Sequence, residues 1–235
     1  MEETLDEDSV LAREIYDKDF LRFSESQQKD INAKKQREVV YSLLGDVNRK
    51  KILFAGCGDG FECLPAIEDG AIVTGIDISE NMIKLAEQTC SGKNARFFAC
   101  DMEKTDFIRG KFDIIVSICS LMYKKDLDAV LNEFRRILKE DGFVVFSVPH
   151  PIRKMIKYGQ MDYFKLGKRF ESCDNSLRFN YYRIFENYID SINGMGFVLE
   201  KVVEPPPLGD GDSFSDGIYP HHAIFKIRRR ARWNY

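Results

Sequence analysis

The sequence has few of the residues that mark specialised classes of protein. There is one tryptophan, there are three histidines, and the six cysteines contain no C-x-x-C pair and no histidine at zinc-finger spacing. A structural zinc site is therefore not expected, and Cys57, Cys63, Cys90, Cys100, Cys119 and Cys173 read as reduced, mostly buried small hydrophobes. No stretch approaches the ~18 uncharged apolar residues of a membrane span, so no membrane partner is expected. Neither sign of charge dominates: 35 basic residues face 38 acidic ones, a net of −3. Such a chain has no general attraction to a phosphate backbone, and nucleic acid is not an expected partner. The local exception, Lys226, Arg228, Arg229, Arg230 and Arg232, reads as a solvated strand end. The opening MEETLDED is acidic where a targeting segment would be basic, so a cytoplasmic location is expected.

What is present is globular. A hydrophobic fraction of 44% beside 31% charged residues excludes a disordered, collagen-like or coiled-coil chain, and 235 residues suit one large domain over 1–235. Residues 8–44 lack glycine and proline and carry apolar residues at helical spacing, which predicts one or two helices in an N-terminal cap, 1–48. From 49 to 148 short runs rich in Ile, Val and Phe alternate with helical patterns, the rhythm of a parallel sheet with crossover helices. Strands are predicted at 51–55, 71–76, 95–100, 112–118 and 142–148, and helices at 60–68, 79–90 and 125–139. The last helix has one apolar stripe, Leu127, Val130, Leu131, Phe134, Ile137 and Leu138. Residues 149–181 are mixed basic and aromatic, too long for a plain connection, and read as an inserted lid. Over 182–235 a helix at 182–193 and strands at 197–203 and 221–228 complete the sheet.

Three features fall at successive strand ends. Gly56-Cys57-Gly58-Asp59-Gly60 follows the first strand, where glycines let the backbone turn tightly and approach a ligand. Its third glycine comes one residue too early for the dinucleotide pattern G-x-G-x-x-G. Asp77 ends the second strand, where a carboxylate can accept both hydroxyls of a ribose. Asp101 and Met102 follow the third strand, placed to meet an adenine edge and face. All three point to the crevice at which open parallel sheets bind ligands.

With these motifs the chain resembles the class I S-adenosylmethionine-dependent methyltransferases, in their small-molecule branch. KILFAGCGDG is similar to the family's first motif, VTGIDISENMIKLAEQ to the second and FFACDME to the third, and 112–148 to the region of strands four and five. The likeness covers 50–148 well and 182–228 more loosely. It implies an α/β, Rossmann-like, doubly wound and mostly parallel seven-stranded sheet, its antiparallel last strand inserted between strands five and six. It also implies S-adenosylmethionine as cofactor, with S-adenosylhomocysteine as product. The glycine loop (Gly56, Cys57, Gly58, Gly60) would hold the methionine end, Asp77 the ribose, and Asp101 with Met102 the adenine. Ile78, Met82, Ser117 and Tyr16 complete the expected cofactor set. One departure is Phe54, where the family usually carries an acidic residue that helps hold the methionine end.

Methyl transfer from a sulfonium is an in-line displacement that depends on positioning, with a general base where the acceptor must lose a proton. If the topology holds, all three histidines stand at the rim. His150, between Pro149 and Pro151, is the first candidate base; His221 or His222 is the second, since alternate residues of a strand face opposite sides. Tyr123 is a candidate donor to the acceptor. Tyr158, Tyr163, Phe164, Phe170, Phe179, Tyr181 and Tyr182 of the insert suit a small acceptor with an apolar or aromatic body. A monomer or homodimer is expected. Two alternatives remain open: a descendant that binds the cofactor without methylating, to which Phe54 points, and a protein or RNA methyltransferase, to which the Arg-rich end points.

Overall fold

A computed structural model describes residues 5–153, 162–173, 176–207 and 219–230. The main sheet has seven strands: β1 (Lys51–Ala55), β2 (Ile72–Asp77), β3 (Ala95–Ala99), β4 (Phe112–Ile118), β5 (Leu138–Pro149), β8 (Phe197–Val203) and β9 (His222–Arg229). Their order is β3-β2-β1-β4-β5-β9-β8. β9 runs antiparallel to both neighbours, and the pairings among β1 to β5 are parallel. This is the expected Rossmann-like order, with the final strand inserted beside β5. It carries every parallel strand's C-terminal end to one rim.

Helices cover both faces. α1 (Glu7–Lys29) breaks helical geometry at Asp19, and α2 (Ile31–Leu44) begins at Asp30, whose side chain caps the backbone N–H groups of Asn32 and Ala33. α3 (Leu64–Glu68), α4 (Glu80–Thr89), α5 (Leu127–Ile137) and α6 (Phe185–Gly194) follow. The predicted stripe of α5 is real: Leu127, Val130, Leu131, Phe134 and Ile137 are buried against β4, β5 and β9. Each such side chain contributes about 1.5–3 kcal/mol on burial. On the opposite face Val40, Leu43 and Leu44 of α2 pack with Ile52, Phe54, Val145 and Ile224.

Three local expectations differ. The helix predicted at 60–68 is a 3₁₀ turn at Phe61–Cys63 followed by the short α3, whose Pro65 sits in the first turn. Leu138 closes the stripe of α5 but already belongs to β5, which is longer than the apolar run at 142–148. No strand is predicted in the insert. It contains an antiparallel hairpin, β6 (Gly167–Cys173) with β7 (Ser176–Tyr182), that pairs Glu171 with Arg178 and Arg169 with Asn180. Cys57, Cys63 and Cys90 are buried thiols outside any disulfide, and Cys100 and Cys119 are half-buried thiols likewise not in one; the side chain of Cys173 lies outside the described residues, as does Tyr158. Among the described residues no helix is long and apolar enough to cross a membrane.

Candidate active site

A cavity of about 290 Å³ opens at the strand rim. Its floor comes from the turns after β1, β2 and β3. Gly56 turns with φ +74, its N–H donating to the Ile76 carbonyl at 2.8 Å. A β-carbon there would fall 2.4 Å from Cβ of Ser120, so only glycine fits. Gly58 donates its N–H to Asp77 Oδ2 at 2.9 Å, and Asp77 Oδ1 accepts from the Ser79 N–H at 3.0 Å. The loop and the carboxylate thus fix one another. Burial pushes the Asp77 carboxyl above its usual range, and the N–H groups of Ser79 and Gly58 offset part of that rise.

Tyr16, Cys57, Ile78, Met82, Met102 and Tyr123 also reach the cavity wall, as do Asp101 and His221. Three predicted residues do not, and each has a structural reason. Gly60 (φ +77) faces α4, where an added β-carbon would stand 3.0 Å from Ala86; its bareness serves helix packing. Ser117 is buried and donates to the Ala55 carbonyl at 2.9 Å, tying β4 to β1. His150, 1% exposed, is packed edge-on against Phe185. Its Nδ1 accepts from the Ile152 N–H at 3.2 Å and its Nε2 lies 2.6 Å from Glu204 Oε1. With Nδ1 accepting, Nε2 carries the proton and donates to the carboxylate, so neither nitrogen is available as a base. His150→Ala is expected to cost about 1–3 kcal/mol of stability, from lost packing of a buried ring and the lost bonds to the Ile152 N–H and the half-exposed Glu204, with S-adenosylhomocysteine affinity unchanged. Thermal unfolding and calorimetry on the one variant check both halves.

The end expected to meet adenine, at Asp101, is built differently from expectation. Asp101 does line the cavity, but Lys124 lies across its carboxylate, 2.5 Å from Oδ1 and 2.6 Å from Oδ2. Ser9 of α1 donates to Oδ2 at 2.8 Å, the Glu103 N–H donates to Oδ1 at 2.9 Å, and Lys124 also reaches Glu103 at 3.4 Å. Lys124 is 7% exposed, so this is a buried charge cluster rather than a surface pair. Nothing local in the sequence marks Lys124, because its partners stand on α1 and after β3.

α1 spans the whole crevice. Besides the Ser9 bond, Tyr16 donates to Tyr123 Oη at 2.6 Å, Asp17 accepts from Ser79 Oγ at 2.5 Å and from the Asn81 N–H at 3.2 Å, and Ser24 bonds Asp59. One helix is therefore tied to every cofactor-side turn. Burial, reinforced by Tyr123, pushes the Tyr16 hydroxyl far up, and burial pushes Tyr123 up to about 12 although Tyr16 bonding opposes it. Both stay protonated at neutral pH and serve as hydrogen-bond donors or acceptors, not as bases.

Phe54 is core, 2% exposed and packed against α2. Carboxylates at the glycine-loop end come instead from Asp59 and Glu62, with Asp30 on the same cavity wall. Glu62 pairs with Arg37 at 3.1 Å through Oε1, while its Oε2 is buried with no hydrogen-bond partner among the described residues. Burial raises its carboxyl to about 7, against the pull of Arg37. A nucleoside whose other end carries an ammonium group fits these residues: ribose hydroxyls at Asp77, a flat base beside Met102, and a cation at Glu62.

Comparison with known proteins agrees. Residues 53–146 match the methyltransferase domain family. The chain is 28% identical over 219 residues to an uncharacterised protein of Haemophilus influenzae, covering 81% of this chain and 85% of that one. It is 31% identical over 127 residues to malonyl-[acyl-carrier protein] O-methyltransferase of Bacillus anthracis, 50% of this chain and 47% of that one, so this match spans about half of the relative. An S-adenosylmethionine-dependent methyltransferase structure from Mesorhizobium loti superposes with a TM-score of 0.71, covering 83% of this chain and 98% of that one; at 23% identity this shows the fold. The chain carries a methyltransferase domain over residues 53–146 and has the fold of S-adenosylmethionine-dependent methyltransferases. It is an enzyme, and S-adenosylmethionine is its cofactor.

Proposed function

We propose that the chain transfers the methyl group of S-adenosylmethionine to an oxygen or nitrogen of a small molecule. The observation that carries this reading is the single cavity whose wall runs without a break from Gly56, Asp77 and Asp101 to Tyr123, His221, His222 and the β6–β7 hairpin. When bound, the cofactor supplies an electrophilic methyl on a sulfonium whose positive charge is lost as the acceptor attacks. The protein's part is positioning and exclusion of water. In this reading Asp77 takes the ribose hydroxyls, Glu62 and Asp59 the ammonium end, and Met102 and Ile78 flank the base. α1 closes over them through its bonds to Asp101, Ser79 and Asp59. Tyr123, held by Tyr16, offers its hydroxyl at the junction of the cofactor and acceptor regions. With His150 sequestered, His221, 5% exposed and on the cavity wall, takes over as the group that would receive an acceptor proton.

The test is calorimetric titration with S-adenosylmethionine and, separately, S-adenosylhomocysteine. Micromolar binding of both is expected, with labelled methyl passing to an acceptor. Binding of both without transfer to any acceptor would establish the non-methylating alternative instead. No binding of either overturns the site assignment.

A further inference from the structure

Polar groups are costly to bury unless they are satisfied, so a cavity wall built from buried polar side chains records what it is meant to hold. The β6–β7 hairpin has such a wall. Cross-strand partners and residues two apart share a face, so Glu171, Arg178 and Asn180 stand together, and all three line the cavity. They are 8%, 9% and 4% exposed. Glu171 accepts from the Tyr182 hydroxyl at 3.1 Å, and the Arg178 guanidinium lies over the Phe23 ring at 4.9 Å. Asn180 differs from both: its Oδ1 is buried with no hydrogen-bond partner among the described residues.

Four aromatic residues of the insert, by contrast, turn away from the cavity. Phe179 is fully buried on the other face, edge-on to Tyr123, Tyr181 bonds Asp8, and Phe164 and Phe170 are 74% and 56% exposed. None of the four is on the cavity wall. The alternation Leu177, Arg178, Phe179, Asn180 thus places its polar members toward the site, where a hairpin serving only as a cover would place apolar ones.

Resting on the methyl-transfer reading above, we propose that this hairpin face is the acceptor-recognition surface. It selects a small polar acceptor whose N–H or O–H donates to Asn180 Oδ1, beside the Glu171 and Arg178 side chains, rather than an aromatic or apolar one. Asn180 is an acceptor-binding residue in this account. His221 and His222 lie on the same cavity wall, so a donor fixed at Asn180 is held within the chamber that also holds the methyl group.

Ligand-observed saturation-transfer NMR on the full chain with S-adenosylhomocysteine bound tests this, using ethanolamine, glycine, lactate and glycerol as polar probes and phenol, indole and geraniol as apolar ones. At least one polar probe is expected to bind, and the apolar set is not. Asn180→Leu is expected to weaken polar-probe binding at least tenfold with S-adenosylhomocysteine affinity within twofold of the parent. Asn180→Asp, which keeps the shape and the accepting oxygen, is expected to retain binding of ethanolamine within threefold. Binding by the apolar set alone, no binding by any polar probe, indifference to Asn180→Leu, or equal loss in both variants would overturn the proposal. Failure to bind S-adenosylhomocysteine at all would instead overturn the methyl-transfer reading itself.

Discussion

Asp77→Ala weakens S-adenosylhomocysteine binding by about 100-fold, a loss of nearly 3 kcal/mol, on the account developed above. Hydrogen bonds to a charged group contribute about 1.5–3 kcal/mol each, and the substitution removes the group that would accept two ribose hydroxyls. It also frees the Gly58 N–H, now bonded to Oδ2 at 2.9 Å, so the glycine loop loses its anchor as well. Titration calorimetry gives the number directly, and affinity within threefold of the parent would remove Asp77 from the site. A pH series on the parent protein adds an independent check. The ionised carboxylate is the binding form, and burial has raised its pKa in the free protein. The free protein therefore takes up a proton that the complex excludes, and affinity should fall as pH is lowered, beginning above the range in which an ordinary aspartate protonates. Asp77→Ala should show no such dependence.

The second large effect is on stability. Lys124→Met keeps the length of the side chain and removes the charge that holds Asp101 and Glu103. Removing one partner of a buried pair leaves the other charges uncompensated, at a typical cost of about 3–5 kcal/mol. Lys124 and Asp101 side chains are only 9% and 12% exposed, so screening by water discounts this little. For a chain of this size each kcal/mol moves the midpoint about 2–4 °C, which predicts a drop of roughly 6–20 °C in thermal unfolding. Asp101→Asn in the Lys124→Met background should recover part of the loss, because the stranded charge is then gone. A midpoint unchanged within 2 °C would show that the cluster contributes nothing. Cofactor affinity should fall with Lys124→Met as well, since Ser9 and Asp101 together tie α1 over the adenine end.

The parallel sheet was legible because burial on both faces forces uninterrupted Ile, Val and Phe runs, and those runs cannot be mistaken for solvated surface. The glycine loop and Asp77 were legible for a similar reason: a turn without Cβ and a carboxylate at the next strand end leave local signatures. The α5 stripe was equally plain, but its last member, Leu138, fell in β5, because an apolar residue at an element boundary satisfies either period. The hairpin was not legible at all. Its cavity-facing side is polar while Phe179 is buried on the other face, so no clean apolar–polar alternation announced a strand, and the chain read as a mixed basic and aromatic insert.

His150 shows the other limit. A histidine between two prolines at a strand end has the address of a catalytic base, and spacing cannot reveal that Glu204 and the Ile152 N–H occupy both ring nitrogens. Gly60 and Ser117 erred the same way: each lies in or beside a cofactor motif, yet one faces Ala86 and the other the Ala55 carbonyl. By itself, then, the sequence determined the sheet, its order by family resemblance, the cofactor and the cofactor-side turns, all of which follow from local periodicity and from backbone geometry that few residues permit. Tertiary structure alone decided which side chains face the cavity, that Lys124 neutralises Asp101, that α1 spans the crevice, and that the hairpin turns buried polar side chains to the cavity. These depend on contacts between residues far apart in the chain, and hydrogen-bond satisfaction between distant groups leaves no periodic trace in the sequence.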